Sequence, residues 1–298
     1  MTRDSYFKSF ILVLIAGIIW SFGVIPVRHL INSEIYVFEY LFFRGLTTAL
    51  IITVFLFFRE GLIFYKNFFK MGFSGYVGSF FLTLTFIGFI FSISKTTVAV
   101  TLFMLATIPF IAALLGYLIL GEILKRTTLI AMLIATIGVF VMIYNDFNSG
   151  SVAGALFGFL AAFGFASYTI AIRWNLETPK FTTVLIAGLL CAFFSILMLE
   201  FSLQSFEKMP IQNVFLSILH GLMVSLGFIL YTFGAKHLPS AELTFLTLLE
   251  IVGGVFWVWT PFFGINETPS LLIILGGMII ILAIIYYGYS FDKKVQKM

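Results

Sequence analysis

The stretch ALLGYLILGEILKRTTLIAML, residues 113–133, decides the fold. Two apolar runs meet there at a short polar break, Gly121-Glu122-Ile123-Leu124-Lys125-Arg126. A helix needs about 20 apolar residues to cross a bilayer. The break therefore reads as a tight loop between two membrane spans, with its two cations on the cytoplasmic side. The same pattern repeats outward in both directions. Apolar runs fall at roughly 9–27, 36–58, 69–92, 97–119, 127–144, 152–172, 182–201, 212–235, 241–261 and 270–289. Thirteen of the 17 Lys and Arg residues lie on one set of alternating ends. Only Arg28, Lys95 and Lys208 lie on the other set, and Arg44 lies within a run. This skew places both termini in the cytoplasm of a cytoplasmic (inner) membrane protein. The first apolar run lacks a small-residue cleavage site, so it reads as the first span.

Composition agrees. The apolar fraction is 61% and the charged fraction 10%, against about 25% charged in soluble domains. Such a chain has too little polar surface for water, and its outer partner is the lipid bilayer. The net charge of +4 sits in short loops where topology explains it, and no basic patch alternates with aromatics, so nucleic acid is not an expected partner. The single cysteine, Cys191, excludes an intramolecular disulfide or a cysteine-based metal cluster. No phosphate-binding loop, His-Glu-x-x-His helix or calcium loop occurs, so no cofactor or metal is expected.

Five spans in each half means that the second half starts from the opposite side of the membrane. The expected architecture is all-α and integral to the membrane: ten transmembrane helices as two inverted five-helix repeats, residues 1–148 and 149–298. Residue identity echoes this. Val24 to Arg28 (VIPVR) aligns with Thr169 to Arg173 (TIAIR), and Thr97-Val98-Ala99 with Pro239-Ser240-Ala241. Inverted repeats are a sequence mark of secondary transporters.

Several motifs carry a family resemblance. Phe42-Phe43-Arg44-Gly45-Leu46 lies in the second span. Ala99, Thr107-Ile108-Pro109-Phe110 and Leu120-Gly121-Glu122 follow in the fourth, and Pro239-Ser240-Ala241, Leu249-Glu250-Ile251 and Asn266-Glu267 in the ninth. In this order the chain resembles the EamA-like branch of the drug/metabolite transporter superfamily. Ile251 stands where that family usually has proline, and Asn266 where it has glycine. The resemblance implies a ten-helix transporter with a central cavity and peripheral fifth and tenth helices.

Ionisable groups within spans are the best pointers to a site, because a charge at the bilayer centre costs about 2.5–3.5 kcal/mol on insertion scales. Glu250 and Arg44 each lie about 12 Å deep at helical rise. Glu250 reads as a substrate or proton site, or as a structural carboxylate. Its helical face, Thr247, Gly253, Gly254 and Trp257, suits a cavity wall. Arg44 could hold a substrate carboxylate through two parallel hydrogen bonds, pair internally with Glu250 or Glu39, or hydrogen-bond to backbone carbonyls. Glu39 lies nearer the outer surface, where it could simply be solvated, and five residues from Arg44 it is off the i, i+4 face. His220 heads a face with Tyr231 and could carry a proton-coupled step, or be a packing residue. Glu242 reads as interfacial. Trp20 lies on a stripe of the first span, and Tyr76, Ser79 and Thr83 on one of the third. Pro109 should kink the fourth span, while Gly154 and Gly158 suit helix packing.

The expectation is a secondary transporter, not an enzyme, for a small-molecule substrate: an amino acid, amine or related zwitterion. It would work by alternating access, in export or exchange, with Trp20, Arg44, Glu250, Trp257, His220, Glu39, Tyr76 and Tyr231 binding or gating. The alternatives are an integral-membrane enzyme or flippase for a lipid or polyprenyl substrate, and a membrane scaffold. A homodimer is possible through Gly-rich faces.

Overall fold

In hydrocarbon the backbone must satisfy its own hydrogen bonds, which leaves helices or closed barrels. A computed structural model describes residues 3–96, 98–144, 151–175, 177–265 and 270–295. Among them there are helices and no strand. In the first half, α1 (Arg3–Ser21) and α2 (Val24–Arg28) form one broken unit. α3 (Val37–Glu60) runs through a 3₁₀ turn into the short α4 (Asn67–Lys70). Then come α5 (Gly72–Lys95), the broken pair α6 (Val98–Leu105) and α7 (Ile108–Leu120), and α8 (Arg126–Ile143). In the second half, α9 (Val152–Trp174) and α10 (Lys180–Met198) precede the short α11 (Leu203–Lys208). α12 (Ile211–Gly234), the broken pair α13 (Ser240–Leu246) and α14 (Leu249–Trp259), and α15 (Leu271–Val295) complete the fold.

Among the described residues, eight units are long and apolar enough to cross a membrane, from Ser5–Arg28 to Ser240–Trp259. The chain is thus a multi-pass membrane protein. Two shorter apolar stretches, Arg126–Val141 and Leu271–Tyr287, belong to α8 and α15, which pack against each other. The boundary at residue 148 and the Asn266-Glu267 motif lie outside the described residues.

Glycines permit the closest approaches. A Cβ on Gly164 of α9 would meet the Phe81 carbonyl of α5 at 2.6 Å. Gly45 of α3 and Gly188 of α10 face each other, each Cβ position 2.7 Å from the other's carbonyl oxygen. Close backbone contact through small residues is how helices associate without a hydrophobic driving force. Gly154 and Gly158 serve the same purpose, against Thr96 and Met104. Hydroxyls add cross-links: Ser79 donates to the Thr183 carbonyl at 3.1 Å and Thr83 to that of Ala187 at 3.3 Å. The stripe of Ser79 and Thr83 therefore joins α5 to α10 and does not line a cavity. Tyr76 corrects the reading further. It is 54% exposed, and its hydroxyl donates to the Phe68 carbonyl at 3.1 Å. The phenol sits near the start of α5, where its polar tip finds a partner.

Three helix breaks shape the interior. The first lies at Phe22-Gly23. The second lies one turn before Pro109, at Ala106-Thr107, so the proline starts α7 instead of kinking a continuous helix. A proline ring clashes with the carbonyl four residues back, here that of Leu105, the last residue of α6. In the first turn its missing N–H is no loss. The third break, at Thr247-Leu248, has no proline. There Glu250 donates its N–H to the Thr247 carbonyl at 2.9 Å and Ile251 to that of Leu248 at 3.0 Å, both 3₁₀ spacings. The Thr107 hydroxyl donates three residues back to Met104 at 2.6 Å, and the Thr247 hydroxyl to Thr244 at 2.7 Å. The same device thus stands at both breaks.

Candidate functional site

The breaks in α1/α2, α6/α7 and α13/α14 surround a cavity of about 70 Å³. Trp20, Arg44, His220 and Glu250 all line it. Each comes from a different helix unit, which is why sequence distance hid their proximity.

Arg44 is 4% exposed. It donates one hydrogen bond from Nη1 to the Phe86 carbonyl at 3.2 Å, and its guanidinium lies 4.9 Å from the centre of the Phe86 ring. Its Nε has no hydrogen-bond partner. A guanidinium carries five N–H donors and no acceptor, so this one is under-satisfied. Glu250 lies just past the break in α13/α14, where the interrupted ladder brings its first turn to the cavity. No ion pair joins Arg44 to Glu250 or to Glu39 among the described residues. The internal pairing that the sequence left open is therefore absent. A buried cation and a carboxylate face one apolar space without neutralising each other directly.

His220 is 3% exposed. Its Nδ1 shares a 2.7 Å hydrogen bond with the hydroxyl of the buried Tyr40. A Cβ on Gly23 would come within 2.9 Å of His220 Nε2, so the glycine at the first break lets the imidazole approach. Trp20 donates Nε1 to the Val224 carbonyl at 3.3 Å. It packs against Phe165, Phe228 and Tyr231 at ring-centre distances of 5.6, 4.8 and 5.5 Å. This aromatic cluster forms one wall. Sequence reading missed Phe86, Phe89, Phe165 and Phe228, because among 39 Phe residues ring identity carries no signal.

Four expected site residues stand elsewhere. Tyr76 faces outward, as described above. Tyr231 is fully buried within the aromatic cluster and does not itself line the cavity, its hydroxyl 2.7 Å from that of Thr169. Trp257 lies on the Glu250 face but two turns further along α14, where the first break covers it. It stacks on Phe22 at 4.1 Å and donates to Ser21 Oγ at 2.8 Å. Glu39 is 2% exposed, not solvated. Its Oε2 lacks a partner, and it does not line the cavity.

One end of the bundle is closed by polar links between the two halves of the sequence. Glu122 accepts from Arg173 Nε at 2.9 Å and from the Ser240 backbone N–H at 2.9 Å. Arg173 also donates to the Ala235 carbonyl at 3.0 Å and to that of Leu238. Beside it, Glu242 pairs with Lys125 Nζ at 2.8 Å and accepts from Tyr6 at 3.1 Å. Glu242 is 2% exposed, so the residue read as interfacial is a buried link. The opposite end is tied more lightly: Asn213 bridges the Ile31 backbone N–H and carbonyl at 3.0 and 2.8 Å.

Comparison with known proteins places this architecture. No curated protein matches the chain. One solved crystal structure, titled only as that of a protein, superposes with a TM-score of 0.68. It covers 96% of this chain and 96% of the other at 13% identity, a likeness that speaks for the fold alone. Residues 7–144 match the model of the EamA-like transporter family. Over those residues, just under half of its length, this multi-pass membrane protein is similar to the EamA-like transporter family, which belongs to the drug/metabolite transporter superfamily.

Proposed function

We propose that this protein is a secondary transporter for a small organic zwitterion, an amino acid or a related amine, moved by alternating access in export or exchange. The observation that carries the reading is the pair Arg44 and Glu250, of opposite charge and unpaired with each other, in one aromatic-walled cavity. A solute carboxylate would take the free donors of Arg44, through charge-assisted bonds. Its ammonium would take Glu250 and the ring faces. Trp20 and Phe228 would hold the apolar part.

The helix order supports a ten-span reading in which α8 and α15 are the fifth and tenth spans, in two inverted halves meeting near residue 148. Thr107 and Thr247, 140 residues apart, hold corresponding breaks. On the charge skew, both termini and the Glu122 and Glu242 links face the cytoplasm. The cavity then opens away from the cytoplasm in this state. Access from within requires Glu122–Arg173 and Glu242–Lys125 to part while the two halves rock.

The test is a thermal-shift screen of the detergent-purified protein against amino acids, amines, nucleosides and organic acids. A ligand at a hundredfold excess over its Kd adds about 2.7 kcal/mol by mass action. The expected result is a zwitterion that raises Tm, with the shift lost in Glu250→Gln. A shift from lipid or polyprenyl amphiphiles alone would overturn the zwitterion reading. Flux of the hit into liposomes under an imposed pH gradient then tests proton coupling. Flux indifferent to the gradient would remove it.

A further inference from the structure

At the end of the bundle that carries most cations, three helices converge on an aromatic group: the last turn of α3, the start of α10 and the end of α12. Phe55, Phe181 and Phe233 pack there with ring centres 4.9, 6.3 and 5.2 Å apart. The Arg59 guanidinium lies over two of these rings, 4.9 Å from Phe181 and 5.5 Å from Phe233. Lys180 precedes Phe181 and Lys236 follows Phe233 by three residues. The charges that bear on the half-buried Lys180 are those of Arg173 and Lys236, both positive.

Compensation is sparse. Arg173 is committed to Glu122 at 2.7 Å. Among the described residues Arg59 has one ion pair, with the neighbouring Glu60 at 3.9 Å, and Glu60 also accepts from Asn67 at 2.7 Å. Glu177 sits exposed on the loop before α10. Lys180 and Lys236 have no ion pair among the described residues. Pro179 caps α10 without a side-chain hydrogen bond, so the positive end of that helix adds to the field. Beside the cations the surface is apolar: Phe233 is 42% exposed and Phe58 82%. Clustered cations next to exposed rings at membrane depth match a lipid with an anionic head and acyl chains.

We infer that Arg59, Lys180 and Lys236 form a binding site for the headgroup of an anionic phospholipid, whose chains lie along Phe58 and Phe233. In the orientation proposed above this is the cytoplasmic leaflet. The inference stands apart from the choice of solute, and neither Arg44 nor Glu250 takes part in it.

Native mass spectrometry of the detergent-purified full chain tests it, with phosphatidylglycerol and phosphatidylcholine of matched acyl chains. Phosphatidylglycerol should bind at least about tenfold tighter, and each cation removed should cost about fivefold. Lys180→Gln/Lys236→Gln should therefore lose the preference. Lys236→Gln alone, at an exposed position, should lose about a fivefold share of it. Lys66→Gln/Lys70→Gln, at the same end of the bundle, should keep it. Equal binding of the two lipids would overturn the inference, as would an equal loss in the Lys66/Lys70 variant. Release of phosphatidylglycerol by millimolar inorganic phosphate would also overturn it, pointing to a site for a free anion.

Discussion

Arg44→Ala is expected to abolish solute binding while leaving the helical bundle folded. Truncating one partner of a buried charged hydrogen-bonded pair costs about 2–5 kcal/mol, so affinity should fall by about thirtyfold or more. The folded state should hardly notice. Arg44 makes one hydrogen bond to the protein, to the Phe86 carbonyl, and leaves Nε unpaired. An uncompensated buried charge is not a source of stability. Arg44→Lys should recover little, because an ammonium lacks the planar fork that grips a carboxylate twice. Binding measured by thermal shift, with circular dichroism to check folding, separates the two roles open to this residue. A structural arginine would lower Tm in the absence of solute. A solute-binding one would leave Tm unchanged and erase the ligand-induced rise.

Gly227→Ala is expected to destroy the cavity wall. A Cβ at that position would lie 2.1 Å from Trp20 Nε1 and 2.5 Å from its Cδ1. The indole cannot swing aside, being bonded to Val224 and packed among Phe165, Phe228 and Tyr231. Overpacking of this kind costs about 1–3 kcal/mol, and here it also displaces a wall residue. Tm should fall by several degrees and solute binding should disappear. Gly17→Ala, on the same helix as Trp20, is the contrast. Its Cβ would meet Leu249 and Glu250 at 3.6 and 3.7 Å, ordinary contact distances, and should be tolerated. Equal effects of the two changes would mean that the indole is free to move.

The comparison of sequence with structure follows the same physics. The membrane class was legible because hydrocarbon imposes length and polarity on every span, and the charge skew survives any error in boundaries. Three of the four cavity residues found from sequence are ionisable, and a charge inside an apolar run is conspicuous. The aromatic wall was not legible, since Phe86 and Phe228 resemble every lipid-facing phenylalanine. Trp257 and Tyr76 failed for a geometric reason. A helix face gives direction but not depth, and each lies beyond the level of the cavity. Pro109 announced one break. The break beside Glu250 had no proline to announce it, only Thr247 returning its hydroxyl to Thr244. Glu39 looked solvated by its position near a span end, yet packing covers it.

The most direct test of the central claim is solute protection of a single cysteine in the cavity wall. The native Cys191 is fully buried and should not react with a water-soluble maleimide. Met223→Cys puts a thiol on the cavity, and Ile123→Cys puts one at a position 86% exposed on the loop between α7 and α8. With the zwitterion from the screen at saturation, labelling at position 223 should slow severalfold while labelling at position 123 stays unchanged. Unchanged labelling at position 223, with solute bound and Tm raised, would place the solute elsewhere and contradict the assignment of the Arg44–Glu250 cavity.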